Sequence, residues 1–413
     1  MSEKWQHKQL GQLLKLRGGY AFKSEDFREH GDVAVLRISN IKNNGIDLED
    51  AVYVDRNVAE QAKDYKLREG NVVIAMSGAT TGKTAIVRKE DLPLVLNQRV
   101  GVFDIYNSEH LSEEYLAYVV QSSSFKNQIL VNAIGGAQPN ISGKQIEDVE
   151  ILLPPLNEQR KIAAILSSVD EAIEKTETII EQTEKVKKGL MQQLLTKGIS
   201  HTRFKKTEIG EIPEGWESKR VGDLVKFEGG SQPPRSTFIF EPKEGYIRLL
   251  QIRDYKTDKY ATYIPIELAK RFCNEDDVMI GRYGPPIFQI FRGLKGAYNV
   301  ALIKAIPNEN YVTKDYLYYF LKQEPLFKLI DSLSQRTSGQ TGIDMDALKN
   351  YGFPLPPISE QKKITAILDN VQAKIDKEND YLQQLQIIKK GLMQSLLTGK
   401  VRVKVDEDEV VSS

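Results

Sequence analysis

The 413-residue chain holds 57 basic and 57 acidic side chains, 40% hydrophobic residues and one cysteine, Cys273. Zero net charge neither demands nor excludes nucleic acid, which needs only a local positive face. One cysteine excludes an internal disulfide and fits a reducing compartment, and neither a signal region nor an apolar run near the ~18 residues of a membrane span is present, so a cytoplasmic location is expected.

In chain order, residues 1–155 read as a first globular domain. Val33-Ala34-Val35-Leu36-Arg37-Ile38 and Asn71-Val72-Val73-Ile74-Ala75-Met76 have the β-branched character of strands, punctuated by Gly18-Gly19, Gly45, Gly70, Gly78 and Gly82. A helix is expected from Glu113 to about Leu130. Residues 156–198 form a long helix and 199–214 a polar linker. A second globular domain, 215–357, repeats the first more loosely. Trp216 answers Trp5, Gly229-Gly230 answers Gly18-Gly19, and Tyr246-Ile247-Arg248-Leu249 answers Val35-Leu36-Arg37-Ile38. Asp277-Val278-Met279-Ile280 answers Asn71-Val72-Val73-Ile74, and Gln340 answers Gln138. Residues 358–400 form a second long helix, and 401–413, with the acidic run Asp406-Glu407-Asp408-Glu409, reads as a disordered tail. Residues 217–307 carry 15 basic against 11 acidic side chains, whereas 1–150 carry 18 against 21.

The two helices belong to a repeat. Residues 355–400 match 153–198 without a gap, 202 residues later. That spacing is too wide for a solenoid and marks a duplicated module. Each copy opens on a proline pair (Pro154-Pro155, Pro356-Pro357), which stops the preceding strand. Asn157 and Ser359 are the expected N-caps, with Glu158 and Glu360 in the first turn. Apolar residues then recur at steps of four and three: Ile162, Leu166, Val169, Ile173, Ile180, Leu190 and Leu194. The second copy gives Ile364, Leu368, Val371, Ile375, Leu382, Leu385, Leu392 and Leu396. This is a coiled-coil seam, interrupted in the first copy by Thr176, Thr183 and Lys187. Gly189 and Gly391, each costing about 1 kcal/mol in a helix, are expected to end the main helix. A helix leading away from one domain and a second leading back predict an antiparallel pair with a pseudo-two-fold axis, with the termini near each other. The fold class is therefore α+β: two mixed α/β domains, each followed by a long helix of the pair.

The sequence contains one motif that suggests catalysis, Ser77-Gly78-Ala79-Thr80-Thr81-Gly82-Lys83-Thr84 after an apolar strand. A phosphate-binding loop needs Gly, then four intervening residues, then Gly-Lys-Ser/Thr, and a helix after it. Here Ser77 stands at that place and Ala85-Ile86-Val87-Arg88 resembles a strand. A glycine turn of this kind still suits a DNA phosphate. The histidines (His7, His30, His110, His201) are scattered, no metal or nucleophile signature is found, and no catalytic residue is assigned.

Polar loop clusters are the candidates for contact with bases and phosphates. In the first domain they are Lys23, Arg37, Ser39, Asn40, Lys42, Thr80, Thr81, Lys83, Thr84, Gln98, Arg99, Gln138 and Asn140. In the second they are Arg235, Arg248, Gln251, Arg253, Arg282, Tyr283, Arg336, Thr337, Ser338 and Gln340. Arg, Asn and Gln can pair bidentately with base edges, while Lys and Ser suit phosphates.

With these residues in view, the chain resembles the DNA-specificity subunits of Type I restriction–modification systems. The resemblance is carried by Gly18-Gly19-Tyr20-Ala21-Phe22, by 70–78, by 135–141, and by Leu153-Pro154-Pro155-Leu156 with Glu158-Gln159 and their twin at 355–361. In the second half it continues in Gly281-Arg282-Tyr283-Gly284 and 296–302, so that it covers all but the tail. Gln340-Thr341-Gly342-Ile343 departs from Gln138-Pro139-Asn140-Ile141, which puts equivalent contacts there in doubt.

The resemblance implies two target-recognition domains, each reading one half of an asymmetric, gapped DNA target, with the helices as spacer and as dock for two methyltransferase subunits. It implies adenine-N6 methylation by the partners with S-adenosylmethionine, and ATP- and Mg-dependent cleavage once two restriction subunits join. The chain itself would bind no cofactor or metal. A helix of about 60 Å matches ~18 base pairs, so half-sites around one turn apart are expected. Two other readings stay open: a coiled-coil adaptor without DNA, and a nucleotide-hydrolysing protein using the loop at 77–84.

Overall fold

The computed structural model describes residues 4–42, 45–132, 140–334 and 342–404. The chain divides into two units, Met1–Glu177 with Asp380–Ser413, and Thr178–Asn379. Each is α+β. Each contains its own globular part, the start of the long helix that follows it, and the end of the other long helix.

In the first unit, Gln6–Gln9 pairs antiparallel with Glu150–Leu153, so a strand near the N-terminus flanks the strand that leads into the long helix. A four-stranded sheet runs in the order Leu14–Gly18, Val100–Ile105, Val72–Ala75, Thr84–Ile86. A second sheet pairs Val33–Leu36 in parallel with Leu94–Leu96 and antiparallel with Val52–Val54. Val72, Ile74 and Phe103 pack with Tyr115, Leu116, Phe125, Ile162, Leu166 and Leu396 in one core. The expected helix from Glu113 to about Leu130 is two helices, Glu113–Gln121 and Ser123–Asn132. Ser122 interrupts it in an extended conformation, and its Oγ accepts from Phe125 N at 3.2 Å, which gives the second helix its own cap.

The second unit repeats the plan. Glu217–Arg220 pairs with Gly352–Leu355, and a four-stranded sheet runs Val225–Gly229, Leu302–Pro307, Val278–Gly281, Gln289–Phe291. Tyr246–Leu250 pairs in parallel with Gly296–Tyr298, and Tyr263–Pro265 and Phe272–Cys273 complete that sheet. Its core joins Trp216, Tyr316, Phe320 and Phe353 to Leu194, Leu195, Ile364 and Leu368. Residues 199–214, expected as a linker, form a hairpin of Phe204–Thr207 and Gly210–Pro213, with Ile212 buried in this core.

The long helices run Leu156–Lys197 and Ile358–Leu396. The prolines themselves take the cap position, since Gln159 N donates to Pro155 O and Gln361 N to Pro357 O. Asn157 and Ser359 therefore lie inside the first turn instead of capping it. Gly189 and Gly391 lie within the helices and do not end them. The packing of Leu194, Leu195, Leu396 and Leu397 beyond them outweighs about 1 kcal/mol of glycine cost.

Within each unit the helices pair antiparallel. In the first, Ile162 and Leu166 share a core with Leu396, and further along Asp170 meets Lys389 at 2.5 Å. In the second, Leu194 shares a core with Ile364 and Leu368, while Lys187 meets Gln372. Every seam residue named above is buried or half-buried. Thr176, expected to interrupt the seam, is buried within it, its hydroxyl donating to Ala172 O at 2.7 Å.

Each helix start is fastened by one buried glutamine. Gln159 accepts from Ser112 N and donates to His110 O and Pro154 O. Gln361 accepts from Thr313 N and donates to Tyr311 O and Pro356 O. Ser112 and Thr313 are the N-caps of Glu113–Gln121 and Lys314–Leu321, so each glutamine joins two helix starts.

Candidate nucleic-acid interface

In the first unit, the edges of the two sheets tie several candidate loops together. Asn97 N donates to Leu36 O, Gln98 N to Tyr20 O, Met76 N to Arg99 O, and Ile141 N to Met76 O. Ser77 bridges Asn140, and Thr80 Oγ1 donates to Ile38 O at 3.1 Å. Residues 37–39, 76–81, 97–99 and 140 thus form one cluster, at which Ser39, Gln98, Arg99 and Asn140 are exposed. A backbone approach at Gly19 is part of it, because a Cβ there would lie 2.3 Å from Asn97 O.

Several candidates are occupied elsewhere. Asn40 is buried and spends its amide on Arg37 N and Asp47 O. Thr84 is buried in a strand. Thr81 Oγ1 donates to Gly78 O, Lys83 is half-buried, and Arg37 donates to Asp50 O. Lys23, before a flanking turn, and Lys42, in the short strand Ile41–Lys42, are exposed beside Glu25 and Asp47. Gln138 lies outside the described residues. The loop at 77–84 leads into the strand Thr84–Ile86, and its amides are spent internally: Gly82 N donates to Ala75 O, Lys83 N to Thr80 O, and Thr81 N to Gly78 O. This geometry favours a β-turn over a phosphate cradle.

The second unit ties the equivalent loops. Asn299 N donates to Leu250 O and Arg282 N to Ala301 O, while Ile252 Cδ1 lies under Gly281. Residues 251–253, 282–284 and 299–301 form the cluster, with Arg253, Arg282 and Tyr283 exposed. Arg235 is exposed at the separate turn Arg235–Thr237. Arg336, Thr337, Ser338 and Gln340 lie outside the described residues.

The structure also corrects the equivalence drawn between Arg37 and Arg248. Leu36 pairs in parallel with Leu96, and Leu250 with Tyr298. The next residues, Arg37 and Gln251, each donate a backbone N–H to the side chain three positions on, Asn40 or Asp254. Arg37 therefore corresponds to Gln251, and Ser39 to Arg253. Arg248 does separate work. It is largely buried and held by Asp254 at 3.2 Å and Asp258 at 2.7 Å, so it clamps two turns. Burial opposes its charge, but the hydrogen bonds it donates to these carboxylates hold its pKa above the ordinary arginine value.

Among the described residues, the buried side-chain polar atoms without a hydrogen-bond partner are Arg37 Nε, Ser77 Oγ, Arg248 Nε and Tyr255 Oη. All four belong to these loop clusters or to the strand and turn that support them. Incomplete satisfaction is where functional strain concentrates. Sequence reasoning missed Tyr255, which stacks on Phe291 at 4.5 Å and whose hydroxyl burial pushes to higher pKa. The Ile-x-Asp-Tyr pattern around it was its only signal.

The family model described as the Type I restriction modification DNA specificity domain matches residues 2–185 and 213–386. A putative type I restriction enzyme MjaX specificity subunit of Methanocaldococcus jannaschii is 30% identical, covering 97% of this chain and 95% of its own length. The EcoKI specificity subunit of Escherichia coli K12 is 22% identical over 97% of this chain and 89% of its own. A Type-I restriction-modification S subunit from M. genitalium has the same fold, with a TM-score of 0.60 at 17% identity, covering 95% of this chain and 96% of that one. A chain from a structure of type I R-M complex assembly gives 0.57 at 19%, covering 96% and 98%. One scaffold built twice, with a polar loop cluster on each copy, is thus matched along nearly its whole length, and the chain belongs to the Type I restriction–modification DNA-specificity family.

Proposed function

We propose that this DNA target-recognition subunit reads an asymmetric bipartite sequence, one half-site per unit, and that the helix pair sets the gap. The observation that carries this reading is the repeated loop cluster whose equivalent positions hold different side chains, such as Ser39 and Arg253. Equal scaffolds with unequal readers give a non-palindromic target, and joining two weak readers raises affinity through effective concentration. The candidate residues named from the sequence supply the contacts, with Asn40, Thr84 and Arg248 acting as supports for the loops.

The family resemblance extends the reading to partners. The chain would deliver two methyltransferase subunits, and with two restriction subunits an ATP-dependent nuclease, to its DNA in the cytoplasm. S-adenosylmethionine, ATP and Mg would be used by those partners. No helix among the described residues is long and apolar enough to cross a membrane.

The test maps adenine methylation in cells carrying the chain with its methyltransferase partner, against cells lacking only this chain. A gapped motif present only in the first strain is the expected result. Identical methylomes with an active partner refute the reading. Salt-dependent binding of the full chain to duplex DNA separates it from the adaptor alternative.

A further inference from the structure

We infer that Arg253 and Arg282 read guanines in the major groove, so that the half-site assigned to Thr178–Asn379 contains two G·C pairs recognised by these side chains. This deepens the proposed function and rests on it.

The first observation is charge pairing. Of the described arginines in this unit, Arg203, Arg220, Arg248, Arg271 and Arg292 each meet a carboxylate. Arg253, Arg282 and Arg235 meet none, and only the first two lie in the tied loop cluster. Asp254 and Asp258, the acids nearest Arg253 in the chain, are taken by Arg248. Arg253 donates only weakly, to Tyr260 O and Thr262 Oγ1, both at 3.4 Å. Two unneutralised guanidinium groups on adjoining loops favour an electron-rich ligand.

The second is orientation. Arg253 lies over the Tyr260 ring at 5.8 Å and Arg282 over Tyr283 at 5.4 Å. A cation–π contact restrains a guanidinium while leaving N–H groups on its edge for a ligand, the Arg253 edge being engaged only by the two weak bonds above. A phosphate accepts a cation from many directions. Guanine presents O6 and N7 side by side, and a restrained fork matches that edge bidentately.

The third is position. The first unit has Ser39 where the second has Arg253. It has Met76 where the second has Arg282, since Met76 N and Arg282 N donate to the equivalent carbonyls of Arg99 and Ala301. Conversely, Arg99 stands where the second unit has Ala301. The arginines are therefore transposed between equivalent scaffolds, which makes the two readers chemically unlike. Val300, exposed beside Arg282's partner loop, adds an apolar surface suited to a thymine methyl.

The experiment selects bound duplexes from a randomised pool using the full chain in complex with its methyltransferase subunit, for the natural chain and for Arg253→Ala, Arg253→Lys and Arg282→Ala. The natural chain is expected to select a gapped motif with G·C at two positions of one half. Each alanine variant should lose discrimination at one of those positions by about tenfold or more, the worth of one bidentate pair, with the other half-site unchanged. Arg253→Lys should keep overall affinity and still lose that discrimination, because an ammonium cannot form the fork. A motif that persists with unaltered base preference in the variants overturns this inference alone. So does Arg253→Lys behaving like the natural chain while alanine weakens all sequences equally, which marks a phosphate contact. No gapped motif from the natural chain overturns both this inference and the function it rests on.

Discussion

Trp216 donates its indole Nε1 to Glu360 Oε2 at 2.9 Å, joining the start of the second globular part to the first turn of the second long helix. The other carboxylate oxygen lies 2.7 Å from His201 Nε2 and accepts from Ile199 N at 3.0 Å. The first unit has the same latch: Trp5 Nε1 donates to Glu158 Oε2 at 3.0 Å, and Arg402 also grips that carboxylate. Each glutamate therefore binds the end of one long helix to the start of the other within its own unit. The residues after 400, expected to be disordered, are anchored as far as Lys404 through Arg402; 405–413 lie outside the described residues.

Replacing Glu360 by Ala leaves the indole N–H of the buried Trp216 unpaired. The expected cost is about 1–3 kcal/mol, read as a lower urea midpoint followed by Trp fluorescence. Glu360→Gln, which keeps an acceptor, should lose clearly less. Equal losses would show that the acceptor contributes nothing.

Gly230→Ala should damage the second reading cluster selectively. A Cβ there would lie 1.9 Å from Asn299 O, on the loop that carries Val300 and Ala301. We expect a loss of about 3 kcal/mol, the upper end of overpacking costs, and a relaxed second half-site in duplex selection. Retained stability and base preference would mean that the loop moves freely.

The spacer role predicts that the gap follows helix length. Within each unit the first long helix pairs antiparallel with the second, so four residues inserted after Thr178 must be matched by four after Asn379 to keep both pairings in register. That adds about 6 Å, so the preferred gap should grow by about two base pairs at 3.4 Å each, with both half-sites retained. Methylome mapping of the double insertion reads it directly, and an unchanged gap refutes the ruler.

Acid should release the second unit late. Burial raises the Asp277 carboxyl, but hydrogen bonds from Lys314, Asn274 N and Lys304 outweigh it and hold its pKa below the usual range. A lowered folded-state value contributes stability that is complete above the ordinary carboxyl pKa, about 3.9, and is lost as pH falls through the folded one. Lys314→Met should therefore raise the pH of acid unfolding, followed by Trp216 fluorescence. An unchanged midpoint would mean that Lys304 and Asn274 suffice.

Much of this protein could be read before folding. The repeat, the seam from Ile162 to Leu396 and the glutamates at 158 and 360 are local patterns, and local patterns survive in one dimension because helix periodicity depends only on neighbours along the chain. The family resemblance rested on the same stretches. The candidate site was legible only as clusters. Asn40 and Thr84 have the composition of DNA contacts, yet one is consumed by a turn and the other by a strand.

What the tertiary structure decided was register and pairing. Arg248 looked like the counterpart of Arg37 because both follow apolar strand residues. The parallel pairings of Leu36 with Leu96 and of Leu250 with Tyr298 place Gln251 there instead, and assign Arg248 to Asp254 and Asp258. Which arginine is spent and which is free depends on carboxylates and strands brought together by the fold. Sequence alone determined two modules and two seam-bearing helices, and its family resemblance pointed to a DNA-reading subunit. Which of the candidate side chains are spent within the chain was settled by turn geometry and strand pairing, because a buried polar group takes whatever partner folding brings to it.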